Sequence, residues 1–93
     1  MLMNTQTRDL APIITEATCE AFFRDALSGH QMAEFRRKGS RKHHAVDITS
    51  ISAVVQVMDK LKPENKEKLI RISRSDPLNV ALNVWKLIGR TKQ

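Results

Sequence analysis

The chain has 93 residues, one cysteine, 4% aromatic residues and a formal charge of +6 from 16 Lys+Arg against 10 Asp+Glu. That length suits one domain with one modest core, and it excludes a multi-domain enzyme with separate cofactor and substrate lobes. A single thiol, Cys19, excludes both an intramolecular disulfide framework and a cysteine-rich zinc module.

In chain order, residues 1–11 are expected to be a flexible N-terminus and residues 12–93 a single all-α domain. The predicted bundle has helices at about 12–28, 30–38, 49–62, 63–74 and 77–88. All three prolines sit where a helix should start, because a first-turn position has no use for the missing N–H. Pro12 opens the first helix, Ile14, Ala17, Ala21, Phe22 and Ala26 fall at helical spacing, and Gly29 is its C-terminal cap. Glu16, Glu20 and Arg24 form a solvated row on it. A short helical continuation over 30–38 is anchored by Met32 and Phe35.

Residues 36–44 read Arg-Arg-Lys-Gly-Ser-Arg-Lys-His-His and carry +5 before any histidine protonates. Like charges in a block repel one another and resist packing, so this stretch is expected to be an exposed basic loop kept pliable by Gly39 and Ser40. Residues 1–35 carry a net −3 and residues 45–93 a net +4. The overall charge is therefore an acidic first third, a basic loop and a moderately basic C-terminal half.

Asp47 or Thr49 can cap the next helix, whose apolar residues Ile51, Val54, Val55, Met58 and Leu61 recur at three and four. The β-branched content gives a strand some weight over 45–57, but the period of the apolar residues favours helix. Pro63 starts a helix with Leu69, Ile70 and Ile72 on its inner edge, and Glu64 and Glu67 suit its positive end. Ser75 or Asp76 caps the last helix, which begins at Pro77 and stops at Gly89. That helix is apolar except for Asn79, Asn83 and Lys86, which lie on one narrow stripe. A helix apolar around most of its circumference is normally covered on several sides. A second copy of the chain is the expected cover, with Leu78, Leu82, Trp85 and Ile88 at the dimer interface. In the competing reading the helix is the central strut of a monomer.

No catalytic constellation is present in the pattern, and neither an enzyme nor a cofactor nor a metal site is expected. His43 and His44 are adjacent in a cationic loop, which does not converge ligands on an ion. Cys19 sits between Glu16 and Glu20, which disfavours a thiolate. No run of about 20 apolar residues could cross a membrane as a helix, and the first residues lack the pattern of a secretory signal. The expected compartment is the cytoplasm.

The basic segment has one concrete physical use. Arg36, Arg37, Lys38, Arg41 and Lys42 can contact the phosphates of a nucleic acid, with release of condensed counterions. Arg71, Arg74, Lys86, Arg90 and Lys92 could add a second strip, and Asn79 and Asn83 can pair with adenine edges or phosphates. Residues 63–88 resemble a helix-turn-helix only loosely, since the turn Ser73–Asp76 has no glycine and the second helix is too apolar for a groove. The expected function is a small, homodimeric, regulatory nucleic-acid-binding protein, with DNA preferred over RNA and no membrane or small-molecule substrate. The alternative is a protein–protein adaptor or inhibitor that lays an apolar helix face on its partner.

Overall fold

The computed structural model describes residues 11–91. Its order is α1 (Cys19–Ser28), β1 (Ala33–Arg36), β2 (His43–Val46), α2 (Ile48–Lys60), α3 (Pro63–Ile72) and α4 (Pro77–Thr91). The two strands form an antiparallel hairpin, so this is a small α+β fold and not the all-α bundle expected from the sequence. Among the described residues no helix is long and apolar enough to cross a membrane.

The correction begins at Pro12. The helix expected from there starts only at Cys19. The Pro12 carbonyl instead accepts the Arg36 amide at 2.8 Å, and Ile13 makes a parallel bridge with Arg36. A fixed proline φ suits an extended edge as well as a first helical turn. Thr18 then closes a tight turn, its hydroxyl accepting the Thr15 amide at 2.9 Å, and α1 follows. Of the segment 1–11, only Ala11 lies within the described residues, and it is buried.

Helix α1 ends at Ser28 with Gly29 as its C-terminal cap (φ −84°), and the left-handed residue is the next one, His30 (φ 54°). Gln31 N–H donates to the Ala26 carbonyl and His30 N–H to that of Leu27, the paired bonds that close a helix C-terminus.

Residues 30–38, expected as a helix, contain β1 instead. Phe35 is buried and stands opposite His44, while Glu34 between the inward positions is exposed. Val46 is buried at the far end of β2. Two-residue alternation therefore governs both strands. The stretch 36–44 is correspondingly not one loop: Arg36 ends β1, His43 and His44 begin β2, and only 37–42 connects them. Ser40 N–H donates to the Arg37 carbonyl at 3.0 Å, and Gly39 takes φ 81° at the third position of that turn, which an L side chain resists.

The next helices follow the sequence pattern closely. Asp47 caps α2 by accepting the Ser50 amide at 3.2 Å, and Ile51, Val54, Val55 and Met58 are buried. Helix α2 ends before Lys62, which precedes Pro63 and is held extended (ψ 155°). Pro63 opens α3, and Leu69 and Ile70 face inward, but Ile72 is 66% exposed rather than part of the inner edge. Asp76 Oδ1 accepts the Leu78 amide at 2.9 Å and so caps α4.

The core joins Phe23 and Cys19 of α1, Phe35 and Val46 of the hairpin, Ile51, Val54 and Met58 of α2, and Val80 and Val84 of α4. Phe22 meets Phe23 and Phe35 edge to face, at 5.4 and 6.0 Å between ring centres. Burying a side chain such as Phe23 or Ile51 contributes about 1.5–3 kcal/mol. Helix α2 packs on α1 and on α4, and α4 also touches β2 and α3.

Gly89 does not stop α4, which continues to Thr91. A Cβ built at Gly89 meets nothing within 4 Å, and the glycine lacks a positive φ. Gly89→Ala should therefore raise stability by about 0.5–1 kcal/mol, read as a higher midpoint in thermal or urea unfolding. A lower midpoint would restore Gly89 as a helix stop.

Candidate nucleic-acid interface

The five cations of the basic stretch separate into two groups. Arg36 and Arg37 build the root of the hairpin. Arg36 is half-buried; its Nε donates to the Ala11 carbonyl at 2.7 Å and its Nη1 to the Ser40 carbonyl at 3.3 Å. It holds the N-terminal segment on one side and the turn on the other. Arg37 pairs through Nε with the Asp76 carboxylate and lies with its guanidinium carbon 5.9 Å from the centre of the Phe35 ring. Its Nη1 is 3.5 Å from His44 Nε2. Lys38, Arg41 and Lys42 form the second group. All three are exposed on the turn, and none makes an ion pair within the described residues.

Asp76 ties the two halves of the molecule together. One of its oxygens accepts from Arg37, and the other caps α4 through the amides of Leu78 and Asn79. Burial acts to raise its pKa, but the Arg37 hydrogen bond and charge and the two amides prevail and hold it below the usual 3.8. Between the hairpin root and the α3–α4 turn lies a crevice of about 240 Å³, lined by Arg36, Arg37 and Lys38 on one side and Arg74, Ser75 and Asp76 on the other.

Asn79 and Asn83 each make a hydrogen bond at the α3–α4 junction, and Asn79 remains exposed. The Asn83 amide donates to the buried Ser73 hydroxyl at 2.8 Å, and the Asn79 amide to the Ser73 carbonyl at 3.4 Å. Together they brace the α3–α4 junction, where Arg74 and Ser75 both adopt left-handed backbone (φ 57° and 59°) without a glycine. Two amides four apart on a helix suggest readers of a base edge; in the fold each has one hydrogen bond to Ser73.

Glu16 and Glu20 of the acidic first third are matched by cations of the fold. Glu20 Oε2 receives Arg24 at 2.8 Å and Lys66 at 3.2 Å, Arg24 also reaches Asp59, and Arg71 binds Glu16 at 3.2 Å and Glu67 at 3.5 Å. Burial would raise the Glu20 pKa, but hydrogen bonds from Arg24 and Lys66 outweigh it and lower it below 4.5. Arg71 thereby leaves the second basic strip, in which Arg74 and Lys86 are exposed. The side chain of Arg90, and Lys92, lie outside the described residues.

Of the expected dimer residues, Leu82 (55%) and Trp85 (41%) are exposed, whereas Leu78 and Ile88 pack partly against the chain's own core. One face of α4 is buried and the flank that carries Leu82 and Trp85 is open. Trp85 Nε1 donates to Ser50 Oγ at 2.9 Å, fixing the indole beside an apolar groove of about 600 Å³ between α2 and α4.

Cys19 is fully buried, and burial, with Asp76 and Glu20 adding, pushes its thiol up to about 11. It is protonated at neutral pH and packs as a small hydrophobe. Among the described residues no group of His, Cys, Asp and Glu could hold a metal ion.

Asp76 and Glu20 titrate lower in the folded chain than in the unfolded one. Their contribution is complete above the unfolded values and is lost as pH falls through the folded ones. Stability should therefore decline on acidification below about pH 4.5, measured by urea unfolding between pH 6 and pH 2, with the starting point set by ordinary carboxylate values. Asp76→Asn keeps an oxygen for the helix cap and removes the charge, so its decline should be shallower; an unchanged slope would contradict the role given to Asp76.

No family model, no curated protein and no solved structure matches this chain.

Proposed function

We propose that the protein is a small nucleic-acid-binding protein of regulatory role, whose hairpin turn contacts the phosphate backbone of duplex DNA. The observation that carries this reading is the exposed set Lys38, Arg41 and Lys42 on a turn whose root is fixed by Arg36 and Arg37. Elsewhere the acids Glu16, Glu20, Asp59 and Asp76 lie against cations, whereas the turn gathers three exposed cations that make no ion pair among the described residues. Each phosphate neutralised there releases counterions, and an anchored turn loses less freedom on binding than a loose loop. Such contacts give affinity and orientation, not sequence reading. A two-stranded ribbon fits the major groove of B-form DNA, about 12 Å wide, and not the deep narrow major groove of A-form RNA, which supports DNA as the preferred target.

The open flank of α4 favours a second element of the proposal. Leu82 and Trp85 share a helix face beside the α2–α4 groove, and a second copy covering them would form a homodimer. If another protein covers them instead, the chain acts as an adaptor.

Two measurements test these readings. In Lys38→Gln/Arg41→Gln/Lys42→Gln, binding to a mixed-sequence duplex should weaken, and the slope of log K against log salt should shrink by about 2–3, near 0.9 for each lost phosphate. Equal affinity and slope in the triple variant would remove the assignment. For the dimer, light scattering at tens of micromolar should give twice the chain mass for the wild type and the single-chain mass for Leu82→Asp, with the helical circular-dichroism signal retained in the variant. A wild-type mass of one chain would leave the adaptor.

A further inference from the structure

We infer that the crevice between the hairpin root and the α3–α4 turn is a phosphodiester subsite, in which Arg74 joins Arg37 and Lys38 on one phosphate. The inference rests on the proposed function and adds to it a residue from a different part of the chain. Four cations, Arg36, Arg37, Lys38 and Arg74, line this crevice against one carboxylate, Asp76. That carboxylate is already engaged: it caps α4 and takes Nε of Arg37. Nε of Arg37 is on Asp76 and Nη1 is 3.5 Å from His44 Nε2, and a guanidinium has five N–H donors, so it keeps donors for a second acceptor. Phe35 beneath it and Asp76 beside it hold the plane of the guanidinium in place before any ligand arrives.

Arg74 is delivered by backbone geometry. Its amide donates to the Arg71 carbonyl and the next amide, of Ser75, to that of Ile70, both at 2.9 Å. These bonds close α3 and fix Arg74 in left-handed backbone at the crevice wall. Its side chain is exposed and has no ion pair among the described residues, although Glu67 and Glu16 bind its neighbour Arg71. A phosphate offers several acceptor oxygens and matches the forked donors of arginine, which suits a site made of two guanidinium groups and one ammonium. Free phosphate and a nucleic-acid backbone share this chemistry, and the hairpin turn beside the crevice favours the backbone.

The test uses the full chain with a labelled mixed-sequence DNA duplex in a salt series, and inorganic phosphate as a separate probe. Arg74→Asn is the variant, because asparagine tolerates left-handed backbone and the fold is retained. Lys68→Asn, on the exposed side of α3, is the control. Arg74→Asn should weaken duplex binding about threefold to tenfold and shrink the salt slope by about 0.9, with Lys68→Asn nearer to wild type on both counts. If wild-type and hairpin variants differ but Arg74→Asn binds like Lys68→Asn, the subsite is overturned and the proposed function stands. If Arg74 is needed for inorganic phosphate but no variant affects the duplex, the crevice is a phosphate site and the nucleic-acid reading falls. If neither probe binds the wild type, both are overturned.

Discussion

The hydrogen bond from the Arg36 amide to the Pro12 carbonyl, with the Arg36 side chain on the Ala11 carbonyl, decides the architecture. It draws residues 11–13 alongside β1 and so denies α1 its first two turns. It also turns the start of the basic stretch into a strand, which sets the hairpin register and places Phe35 in the core opposite His44. With Phe35 inward, Arg37 emerges beside the α4 cap and meets Asp76. One backbone pairing thus links the N-terminal segment, the hairpin and the last helix. An unpaired carbonyl beside the buried Ala11 would be costly, which is the physical reason the arrangement is retained.

The distribution of charge follows from this frame. Glu16 and Glu20 lie against Arg71 and Lys66 of α3, and Arg24 spans Glu20 and Asp59. These pairs are exposed enough that each contributes little stability. Their larger effect is on the surface field, because they neutralise acids that would otherwise offset the cations of the hairpin turn and the crevice edge. Arg36 and Arg37 look equivalent to Lys38, Arg41 and Lys42 in a linear reading. In the fold Arg36 and Arg37 have partners of their own at the hairpin root, whereas Lys38, Arg41 and Lys42 stand exposed on the turn.

Much of the C-terminal half was legible in the sequence. Asp47, Pro63, Asp76 and Pro77 mark helix starts by capping chemistry that depends on neighbours a few residues away. The stripe Ile51, Val54, Val55, Met58 is long enough for its period of three to four to outweigh the β-branched content that favours a strand. The hairpin was not legible, because each strand has four residues and a helix or loop accounts for Ala-Glu-Phe-Arg equally well. Its signals were the alternation at Ala33 and Phe35, repeated at His44 and Val46, across a turn with Gly39. Pro12 is ambiguous because a proline serves an extended edge as well as a helix start, and only the distant Arg36 decides between them. The left-handed residues His30, Arg74 and Ser75 carry no glycine to announce them. Of the candidate site, the cationic turn was readable as composition, whereas the closeness of Arg74 and Asp76 to Arg37 depends on tertiary packing across some 37 residues of chain.

The most direct test follows backbone amide resonances of the labelled protein while a short DNA duplex is added at moderate salt. The account predicts that the largest shifts fall at residues 37–42 and 74–76, with the α4 flank at Leu82 and Trp85 unmoved. Shifts confined to Leu82, Trp85 and the α2–α4 groove, or no shifts at all, would contradict it.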